Sequence, residues 1–525
     1  MLKRVFFLNI IILSFFIKGF SQYTSIPDPL FEQYLIDEGI DTDGEINGQF
    51  LTANTIGIDF LSLDNILISD LTGIEAFIDL ERLDARNTNF ENADFSQNIM
   101  LLQLTIVNSP LNNMNITQNV NLLTLFADNC NLSYIDVSQN INLIQLSLDG
   151  NNLSSIDVSN LVSMRSFSLE NNYFTTLDLP FLPSLEGLII NNNQISSIDL
   201  SNLPLLVTLL IEENNLTELD LSNNPLFQNL RCSNNSLTQL DFINNPFIEF
   251  INCDFNQLTE VKFDNTNNLR EFLNNDNMLS SIDLSNMPSL FRLGIINNNN
   301  LTSIDVTQCP SLRFLMCYNN GIETPLDLTQ NPLLEWLYCN DNPIPAIDTS
   351  QCQVLDIVWV SNTLVTQMDL SNNPLAETVR AKDMPNLEWA DLRNGNNGIL
   401  NFKSNNSPNL NCVYVDDVNS GEGDFEIDPH TTLVNNEEGC EALAIQDYLF
   451  ENTLIYPNPV REILHIDTGI YEISKIVIYD VLGRKVFEEN GDIYQVDVSQ
   501  LKSGLFFVKL ETDHGFLIEK IIKEK

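Results

Sequence analysis

The stretch Leu216–Pro225 reads LTELDLSNNP, and it has near-copies at Ile195–Pro204 (ISSIDLSNLP) and at Leu279–Pro288 (LSSIDLSNMP). Each copy places an aspartate between two aliphatic residues. The same position recurs fourteen times at intervals of 21 or 22 residues, and we call it the aspartate column. A period of this length indicates a repeat architecture. Asn115 and Lys262 occupy two of the positions, and the other twelve are Asp94, Asp136, Asp157, Asp178, Asp199, Asp220, Asp241, Asp283, Asp305, Asp327, Asp348 and Asp369.

A second series of residues runs in step with the aspartate column. Between the two lies the pattern LxxLxLxxNxL, as in Leu143, Leu146, Leu148, Asn151 and Leu153. In a strand, the two leucines of LxL point inward and the residues between them point outward. We expect the asparagine amide to bond to backbone groups of adjacent turns. The series comprises Asn151, Asn172, Asn193, Asn214, Asn235, Asn256, Asn277, Asn298, Asn320 and Asn342.

The pattern resembles that of leucine-rich repeats over roughly residues 60–415. The resemblance implies a β-rich solenoid, a leucine-rich repeat array with 21–22-residue repeats and a parallel strand face. Terminal repeats would expose the core, so both ends need caps. We predict an N-terminal cap at residues 22–59, with a short amphipathic helix near residues 27–40, and a C-terminal cap loop at residues 416–440.

The N-terminus reads MLKRVFFLNIIILSFFIKGFSQ, with basic residues, an apolar run and small residues in that order. This order is typical of a signal peptide, here residues 1–21, and the alternative is a buried helix. We see no second long apolar segment, so no membrane span is expected. Cys412 and Cys440 flank the predicted cap loop, and an exported protein is compatible with a disulfide between them.

The repeat period is lost after Cys440. Residues 441–453 are predicted to be a linker, and residues 454–525 carry short β patterns that suggest a small Ig-like β-sandwich. The motifs here are Tyr456-Pro457-Asn458-Pro459, then Tyr479 and Asp480 with Gly483 and Arg484, then a strand from Gly504, then Lys520 near the end. They resemble the type A sorting domain of the type IX secretion system of Bacteroidetes.

That resemblance implies the secretion machinery as a partner and a secreted or outer-surface location. The alternative is an ordinary Ig-like binding domain.

Charge and composition exclude several functions. The chain has 71 acidic and 24 basic residues, and residues 22–454 hold 59 acidic against 12 basic ones. This field repels phosphate backbones, so nucleic acid and anionic membranes are poor partners. Only three histidines exist, two of them in the predicted sorting domain, and there is no Gly-rich phosphate loop. We therefore expect neither enzyme activity nor an organic cofactor.

The outward strand positions change character from about residue 312. All three tryptophans of the chain fall here. Exposed aromatic residues with arginine are typical of binding sites. The alternatives are that an insertion or the cap loop covers the rings, or that a one-residue register error turns them inward. The predicted ligand-binding residues are Phe314, Tyr318, Trp336, Tyr338, Trp359, Arg380, Trp389 and Arg393.

The function expected from these features is that of an exported leucine-rich repeat protein for binding or adhesion. A protein and a glycan both fit as ligand. The competing functions are a glycan-binding accessory protein and a structural surface component without a discrete ligand.

Two acidic features are weak candidates for Ca²⁺. The segment Asp41-Thr-Asp43-Gly is oxygen-rich but departs from the EF-hand pattern, so a plain acidic turn is favoured. Neighbours in the aspartate column, such as Asp199 and Asp220, would lie about 4.8 Å apart, so we expect like charges to raise each other's pKa. Screening by water and salt is favoured over a row of bridging Ca²⁺ ions.

Overall fold

The computed structural model describes residues 23–264, 266–418, 423–440, 453–469, 472–491, 493–512 and 515–525. The chain divides into two compact units, Met1–Leu312 and Arg313–Lys525. The predicted signal peptide and all of the predicted linker except Thr453 lie outside the described residues.

The first unit begins with a cap built around one helix, α1 (Pro29–Asp37). Asp28 ends the preceding segment and accepts hydrogen bonds from the backbone N–H of Leu30 and Phe31, which are otherwise unpaired at a helix start. The second carboxylate oxygen of Asp28 accepts from the N–H of Ser69 at 2.7 Å, which ties the cap to the repeats. The helix is shorter than predicted, and it buries Phe31 and Leu35.

The strands of the first unit are short because each repeat turns after three to five extended residues. In chain order they are β1 (Tyr23–Ser25), β2 (Gln49–Leu51), β3 (Phe60–Ser62), β4 (Arg82–Arg86), β5 (Asn92–Asp94), β6 (Gln103–Val107), β7 (Asn113–Asn115), β8 (Thr124–Phe126), β9 (Gln145–Ser147), β10 (Ser166–Ser168), β11 (Gly187–Ile189), β12 (Thr208–Leu210), β13 (Asn229–Arg231), β14 (Gln239–Asp241), β15 (Phe250–Asn252), β16 (Glu260–Lys262), β17 (Glu271–Leu273) and β18 (Arg292–Gly294). Two 3-10 turns occupy Thr52–Thr55 and Ile74–Ala76.

Within the described residues of this unit, twelve strands form one parallel sheet in the order β3-β4-β6-β8-β9-β10-β11-β12-β13-β15-β17-β18. The register advances by one repeat per strand, so Leu209 lies opposite Leu188 on one side and Leu230 on the other. These central residues are fully buried. The parallel strand face is therefore as predicted, and β1 and β2 pair separately in antiparallel fashion.

The asparagine series supplies hydrogen bonds between repeats. Asn172 accepts from the N–H of Leu153 at 3.0 Å and donates to the carbonyl of Leu148 at 2.9 Å, both in earlier turns. A second buried asparagine recurs at the SNNP turn, where Asn224 donates to the carbonyls of Leu200 and Leu203 at 3.1 and 2.8 Å. Both sets of asparagine amides hydrogen-bond to backbone groups where the chain bends. Sequence reasoning assigned no role to the second set.

The second unit continues with the same kind of repeat. Its strands up to residue 440 are β19 (Phe314–Met316), β20 (Leu326–Asp327), β21 (Trp336–Tyr338), β22 (Ile347–Asp348), β23 (Ile357–Trp359), β24 (Gln367–Asp369), β25 (Thr378–Arg380), β26 (Trp389–Asp391), β27 (Asn401–Lys403), β28 (Cys412–Tyr414), β29 (Asp424–Glu426) and β30 (Thr432–Val434). One parallel sheet has the order β19-β21-β23-β25-β27-β29, and a second has the order β24-β26-β28-β30.

The predicted cap loop at residues 416–440 is not simply a loop. It contains β29 and β30, and each extends one of the two parallel sheets. The sequence pattern missed this turn because Phe425 and Leu433 replace the usual leucine spacing in an acidic segment. The sulphur atoms of Cys412 and Cys440 are bonded, and the pair packs with Tyr414 and Val434.

Residues from 454 onward fold as two antiparallel sheets. Their strands are β31 (Leu454–Tyr456), β32 (Ile463–Asp467), β33 (Ile473–Asp480), β34 (Lys485–Asn490), β35 (Gln495–Asp497), β36 (Gly504–Thr512) and β37 (Gly515–Lys523). The sheet orders are β31-β32-β35 and β34-β33-β36-β37. Alternating residues such as Leu464, Ile476 and Val508 fill a shared core, which makes the predicted β-sandwich.

Candidate binding surface

The strand face of the second unit carries a block of large side chains. Phe314 lies opposite Trp336 and Met316 opposite Tyr338, while the next strand places Ile357 beside Trp336 and Trp359 beside Tyr338. These six residues, Phe314, Met316, Trp336, Tyr338, Ile357 and Trp359, are called the aromatic block. They occupy the two outward positions of β19, β21 and β23, because side chains alternate along a strand.

The rings of the aromatic block contact one another while remaining partly open to solvent. The ring centroids of Phe314 and Trp336 are 4.7 Å apart, and those of Tyr338 and Trp359 are 4.8 Å apart. Trp336 is 39% exposed and Trp359 is 40% exposed. The residues between them in sequence, Leu337 and Val358, are buried. The register therefore turns the aromatic residues outward and the aliphatic residues inward.

Carboxylates border the aromatic block at the starts of β21 and β23, whereas Arg313 stands at that position before β19. Glu335 precedes Trp336, and its carboxylate lies 3.1 Å from the guanidinium of Arg313. Asp356 precedes Ile357 in the same position of the next repeat. Burial raises the pKa of the Tyr338 hydroxyl, and the negative charge of Asp356 raises it further. The block thus combines aromatic rings with a negative local potential.

The basic residues of this surface, of which Arg380 was predicted, are held by partners within the chain. Arg380 lies opposite Trp359 and donates to the amide oxygen of Asn401 at 2.9 Å. Lys382 lies 3.4 Å from Glu426. Lys403, which sequence reasoning missed, lies opposite Arg380 and 3.1 Å from Glu426. Tyr318 follows β19 and is half-buried.

Trp389 and Arg393 were predicted on the same face, and this placement is wrong. Trp389 begins β26 and Arg393 follows that strand by two residues; β26 pairs with β24 and β28 in the second sheet, and the strand-face repeat after β25 is β27. Asp391 lies beside Asp369 and continues the aspartate column by one more repeat. The segment WADLR has the same alternation of outward and inward residues as a strand of the strand face. For this reason the sequence pattern assigned it to that face, whereas it belongs to the aspartate-column strand of its repeat.

The misassigned pair belongs to the closing end of the repeats. The Trp389 ring packs against Tyr414 at 5.9 Å. The Arg393 guanidinium lies over the Tyr414 ring at 5.0 Å and pairs with Asp391 and Glu437. Hydrogen bonding to Asp391 raises the pKa of Arg393. These contacts close the end of the second sheet beside the disulfide.

The aspartate column builds turns. In eleven of its twelve predicted aspartates, a carboxylate oxygen accepts from the backbone N–H two residues on, as in Asp220 to Ser222 at 2.9 Å. The exception is Asp178, because the residue two positions on is Pro180, which has no N–H. Such side-chain turns are a known local use of aspartate.

The charge of a neighbouring aspartate does raise the pKa of Asp220, as expected, but the net shift is downward. Hydrogen bonds from the backbone and hydroxyl of Ser222 lower the pKa of Asp220, and the opposing effect of Asp199 is smaller. The hydroxyl and backbone of Ser201 lower the pKa of Asp199 in the same way. The serine donor contacts the Asp220 carboxylate directly, whereas Asp199 acts on it only through its charge. The pKa is also lowered at Asp136, Asp157, Asp283 and Asp327.

The acidic segment in the N-terminal cap closes on itself. The carboxylate of Asp43 accepts from the N–H of Glu45 and from the side-chain amide of Asn47, both at 2.9 Å. Asp41 is buried, and its burial raises its pKa. Across the described part of the chain, no three His, Cys, Asp or Glu side chains are grouped to hold a metal ion.

The first unit carries a second surface that sequence reasoning missed. A groove lies beside the starts of β3, β4, β6, β8 and β9. Three of the residues that directly precede these strands, Leu102, Leu123 and Ile144, are large and apolar. Arg82 lies over the Phe60 ring at 5.1 Å and pairs with Asp84. The lining residues are Asp59, Phe60, Glu81, Arg82, Leu102, Gln103, Leu123, Thr124, Ile144 and Gln145.

The sorting-domain motifs meet in space although they are far apart in sequence. Asn458 accepts from the N–H of Ile522 at 2.9 Å and donates to the carbonyl of Lys520 at 2.8 Å, so the Pro457–Pro459 motif is tied to the last strand. The carboxylate of Asp480 accepts from the N–H groups of Leu482 and Arg484 at 2.9 and 3.0 Å.

Positive φ at Gly483 completes this turn between β33 and β34. Tyr479 ends β33, and Gly504 opens β36.

Comparison with known proteins gives separate results for the two parts of the chain. Residues 454–524 match the family described as secretion system C-terminal sorting domain. This domain indicates export through the type IX secretion system and a cell-surface or secreted location. Among the residues that the structure describes, no helix has the length and apolarity needed to cross a membrane. No curated protein matches the chain.

The repeats resemble solved structures of low sequence identity. A functional domain of InlJ from Listeria monocytogenes, which includes a cysteine ladder, is 22% identical, with a TM-score of 0.56 over 96% of this chain and 99% of that chain. YopM, a leucine-rich effector protein from Yersinia pestis, is 20% identical, with a TM-score of 0.47 over 77% and 94%. An internalin, InlF, from Listeria monocytogenes is 17% identical, with a TM-score of 0.44 over 65% and 91%. The likeness to InlJ shows the leucine-rich repeat fold.

Proposed function

We propose that this exported leucine-rich repeat protein is a non-enzymatic protein-binding or adhesion module and that the aromatic block is its docking surface. One observation carries the proposal: two tryptophans remain 39% and 40% exposed on one face of a sheet, while Leu337 and Val358 on the opposite face are buried. Exposed tryptophan and tyrosine are the residue types that dominate binding energy at protein interfaces. Arg380 borders the block on the same outward position.

The domain organisation follows from this role. The signal peptide at residues 1–21 would direct the chain to the periplasm, and residues 454–525 would present it to the type IX machinery. The cap and repeats at residues 22–440 would then be the delivered part. A truncation that ends at Thr453 is expected to remain in the periplasm, whereas the full chain reaches the medium or surface. Normal export of the truncated chain would overturn the division.

The binding test compares two pairs of aromatic substitutions in the full chain. Trp336→Ala with Trp359→Ala is expected to abolish capture of protein partners from the cell surface. The matched control, Tyr134→Ala with Phe181→Ala, changes aromatic residues that are 68% and 61% exposed in the first unit. This control is expected to keep binding. Equal capture by both variants would contradict the proposal.

A glycan ligand and a purely structural role are the competing functions. Flat rings also stack on sugar faces, so a glycan array is probed with the same two variants. Tryptophan-dependent binding to glycans alone would favour the glycan-binding accessory protein. Binding to neither class would favour the structural surface component.

A further inference from the structure

We infer that the aromatic block binds a cationic segment of its protein partner, an extended peptide that carries arginine or lysine at alternate positions. The inference rests on the proposed function and adds the chemistry of the partner. It depends on three features of the second unit: its charge balance, the line of carboxylates beside the block, and the spacing of the two tryptophans.

The repeats of the second unit have a large acidic excess that their own basic residues do not offset. Residues 313–440 hold five basic and nineteen acidic residues. All five basic side chains are already engaged with oxygen atoms of the chain, as in the pairs of Arg313 with Glu335 and of Lys403 with Glu426. The remaining partners are Asn401 for Arg380, Glu426 for Lys382, and Asp391 with Glu437 for Arg393. The field outside this unit is therefore negative and attracts cationic partners.

A line of three carboxylates runs along one edge of the aromatic block and onto the next strand, β25. Glu335, Asp356 and Glu377 each precede the first residue of a strand, in three consecutive strands of the same sheet. They therefore repeat at about the 4.8 Å strand spacing, and we call them the acidic edge. In the described part of the chain, the carboxylates of Asp356 and Glu377 have no hydrogen bond or ion pair, and Glu335 pairs with Arg313. The acidic edge thus presents unneutralised charge beside exposed rings.

Arginine and lysine side chains match both features at once. A cation is attracted to the face of an indole or phenol ring, because the ring quadrupole is negative there. The same guanidinium donates to a carboxylate in a charge-assisted hydrogen bond. Neutral sugars could stack on the rings and donate hydroxyl hydrogen bonds to the carboxylates, but they would not neutralise the carboxylate charge, and acidic partners would be repelled. The combination therefore selects a basic peptide.

The spacing of the tryptophans favours an extended partner. Trp336 begins β21 and Trp359 ends β23, so they are diagonal neighbours in register, about 8 Å apart at their backbones. In an extended chain, residues two apart are separated by about 6.6 Å. A peptide with basic residues at alternate positions would therefore bring one cation to each indole.

The test uses the full-length exported protein and synthetic peptides. The probes are an eight-residue alternating Arg-Gly peptide and its Glu-Gly counterpart, and binding is followed by calorimetry and tryptophan fluorescence at 50 and 300 mM NaCl. Trp336→Ala with Trp359→Ala is expected to weaken binding of the Arg-Gly peptide at least tenfold. Asp356→Asn with Glu377→Gln is expected to weaken it about fivefold and to reduce its salt dependence. The Glu-Gly peptide is expected not to bind.

A matched control removes the same charge elsewhere. Asp199→Asn with Asp220→Asn takes two carboxylates from the aspartate column of the first unit, and it is expected to change affinity less than twofold. Circular dichroism of each variant shows whether the fold is retained. Equal losses for the column variant and the acidic-edge variant would show non-specific charge attraction and overturn the inference.

Failure of the inference is distinguishable from failure of the proposed function. If the Arg-Gly peptide does not bind but a neutral or acidic protein is captured in a tryptophan-dependent manner, the docking surface stands and the cationic partner is overturned. If the tryptophan variant binds every partner as the unchanged protein does, the docking surface itself is wrong.

Discussion

The Tyr338 ring lies 4.8 Å from the Trp359 ring, across two neighbouring strands and at an interplanar angle of 73°. This edge-to-face contact is possible because the parallel register places the two residues directly opposite each other. Both rings stand on the outward side of a sheet whose inward side is packed with leucine and valine. The contact therefore shapes a surface, and its loss has a different consequence from the loss of a core residue.

Removal of the two tryptophans is expected to cost less stability per side chain than removal of a core residue. Trp336→Ala with Trp359→Ala should lower the free energy of unfolding by about 1–3 kcal/mol in total, since both side chains are partly exposed and each loses a ring contact worth about 0.5–1.5 kcal/mol. Leu337→Ala, between them in the core, should cost about 2–5 kcal/mol. Denaturant unfolding of the two variants measures the contrast. If each tryptophan removed cost as much stability as Leu337→Ala does, the rings would be covered by other parts of the chain.

The aspartate column should make stability fall in acid. The hydrogen-bonded carboxylates of Asp136, Asp157, Asp199, Asp220, Asp283 and Asp327 have lowered pKa values in the folded state. The stability that these ionised carboxylates add to the folded state is therefore fully present above their unfolded pKa of about 3.9. It is lost as the pH falls through their lower pKa values in the folded state. Ser201→Ala with Ser222→Ala should reduce this dependence. Melting temperatures between about pH 6 and pH 2 check it, because the loss occurs below the unfolded pKa, and an unchanged acid profile in the variant would contradict the cause.

Chelation of divalent cations is expected to leave the melting temperature unchanged. Asp199 and Asp220 already accept hydrogen bonds from Ser201 and Ser222, so no cation is needed to stabilise their charge. The measurement compares full-length protein in EDTA and in CaCl₂ at low salt. A rise in melting temperature with Ca²⁺ that Asp199→Asn with Asp220→Asn removes would establish bridging ions along the column.

The two asparagines of the SNNP turn are expected to differ sharply. Asn224 is buried and donates to the carbonyls of Leu200 and Leu203, so Asn224→Ala leaves two buried acceptors without this donor. The cost should be about 1–3 kcal/mol. Asn223 is exposed and donates only to the hydroxyl of Ser222, so Asn223→Ala should stay within about 0.5 kcal/mol. Equal effects in denaturant unfolding would show that the second asparagine set is not structural.

The disulfide should stabilise the end of the repeats. Cys412 is fully buried, and the bond to Cys440 closes a segment of 28 residues. Cys412→Ser with Cys440→Ser should therefore lower stability by about 3–4 kcal/mol by the loop-entropy relation. Protease sensitivity after residue 400 and thermal unfolding measure the loss. Cys232→Ser serves as a comparison, because that buried cysteine is unbonded; a disulfide variant as stable as the unchanged protein would contradict the prediction.

The sequence by itself determined the repeat unit, the parallel strand face and the sorting domain. Each is encoded locally: the 21-residue period spaces the inward leucines, and the motifs around Asn458 and Asp480 specify particular turns. The alternation of Leu337 and Tyr338 was enough to place one inward and the other outward, because a strand has a side-chain period of two.

Tertiary structure alone decided the features that depend on neighbouring turns. Trp389 matches the strand-face pattern as well as Trp336 does, but pairing with β24 and β28 assigns it to the other sheet. The aspartate pKa values likewise depend on a competition between a serine in contact and a charge in the next repeat. Such outcomes are set by distances between residues that are far apart in sequence, and a repeated local pattern does not contain those distances.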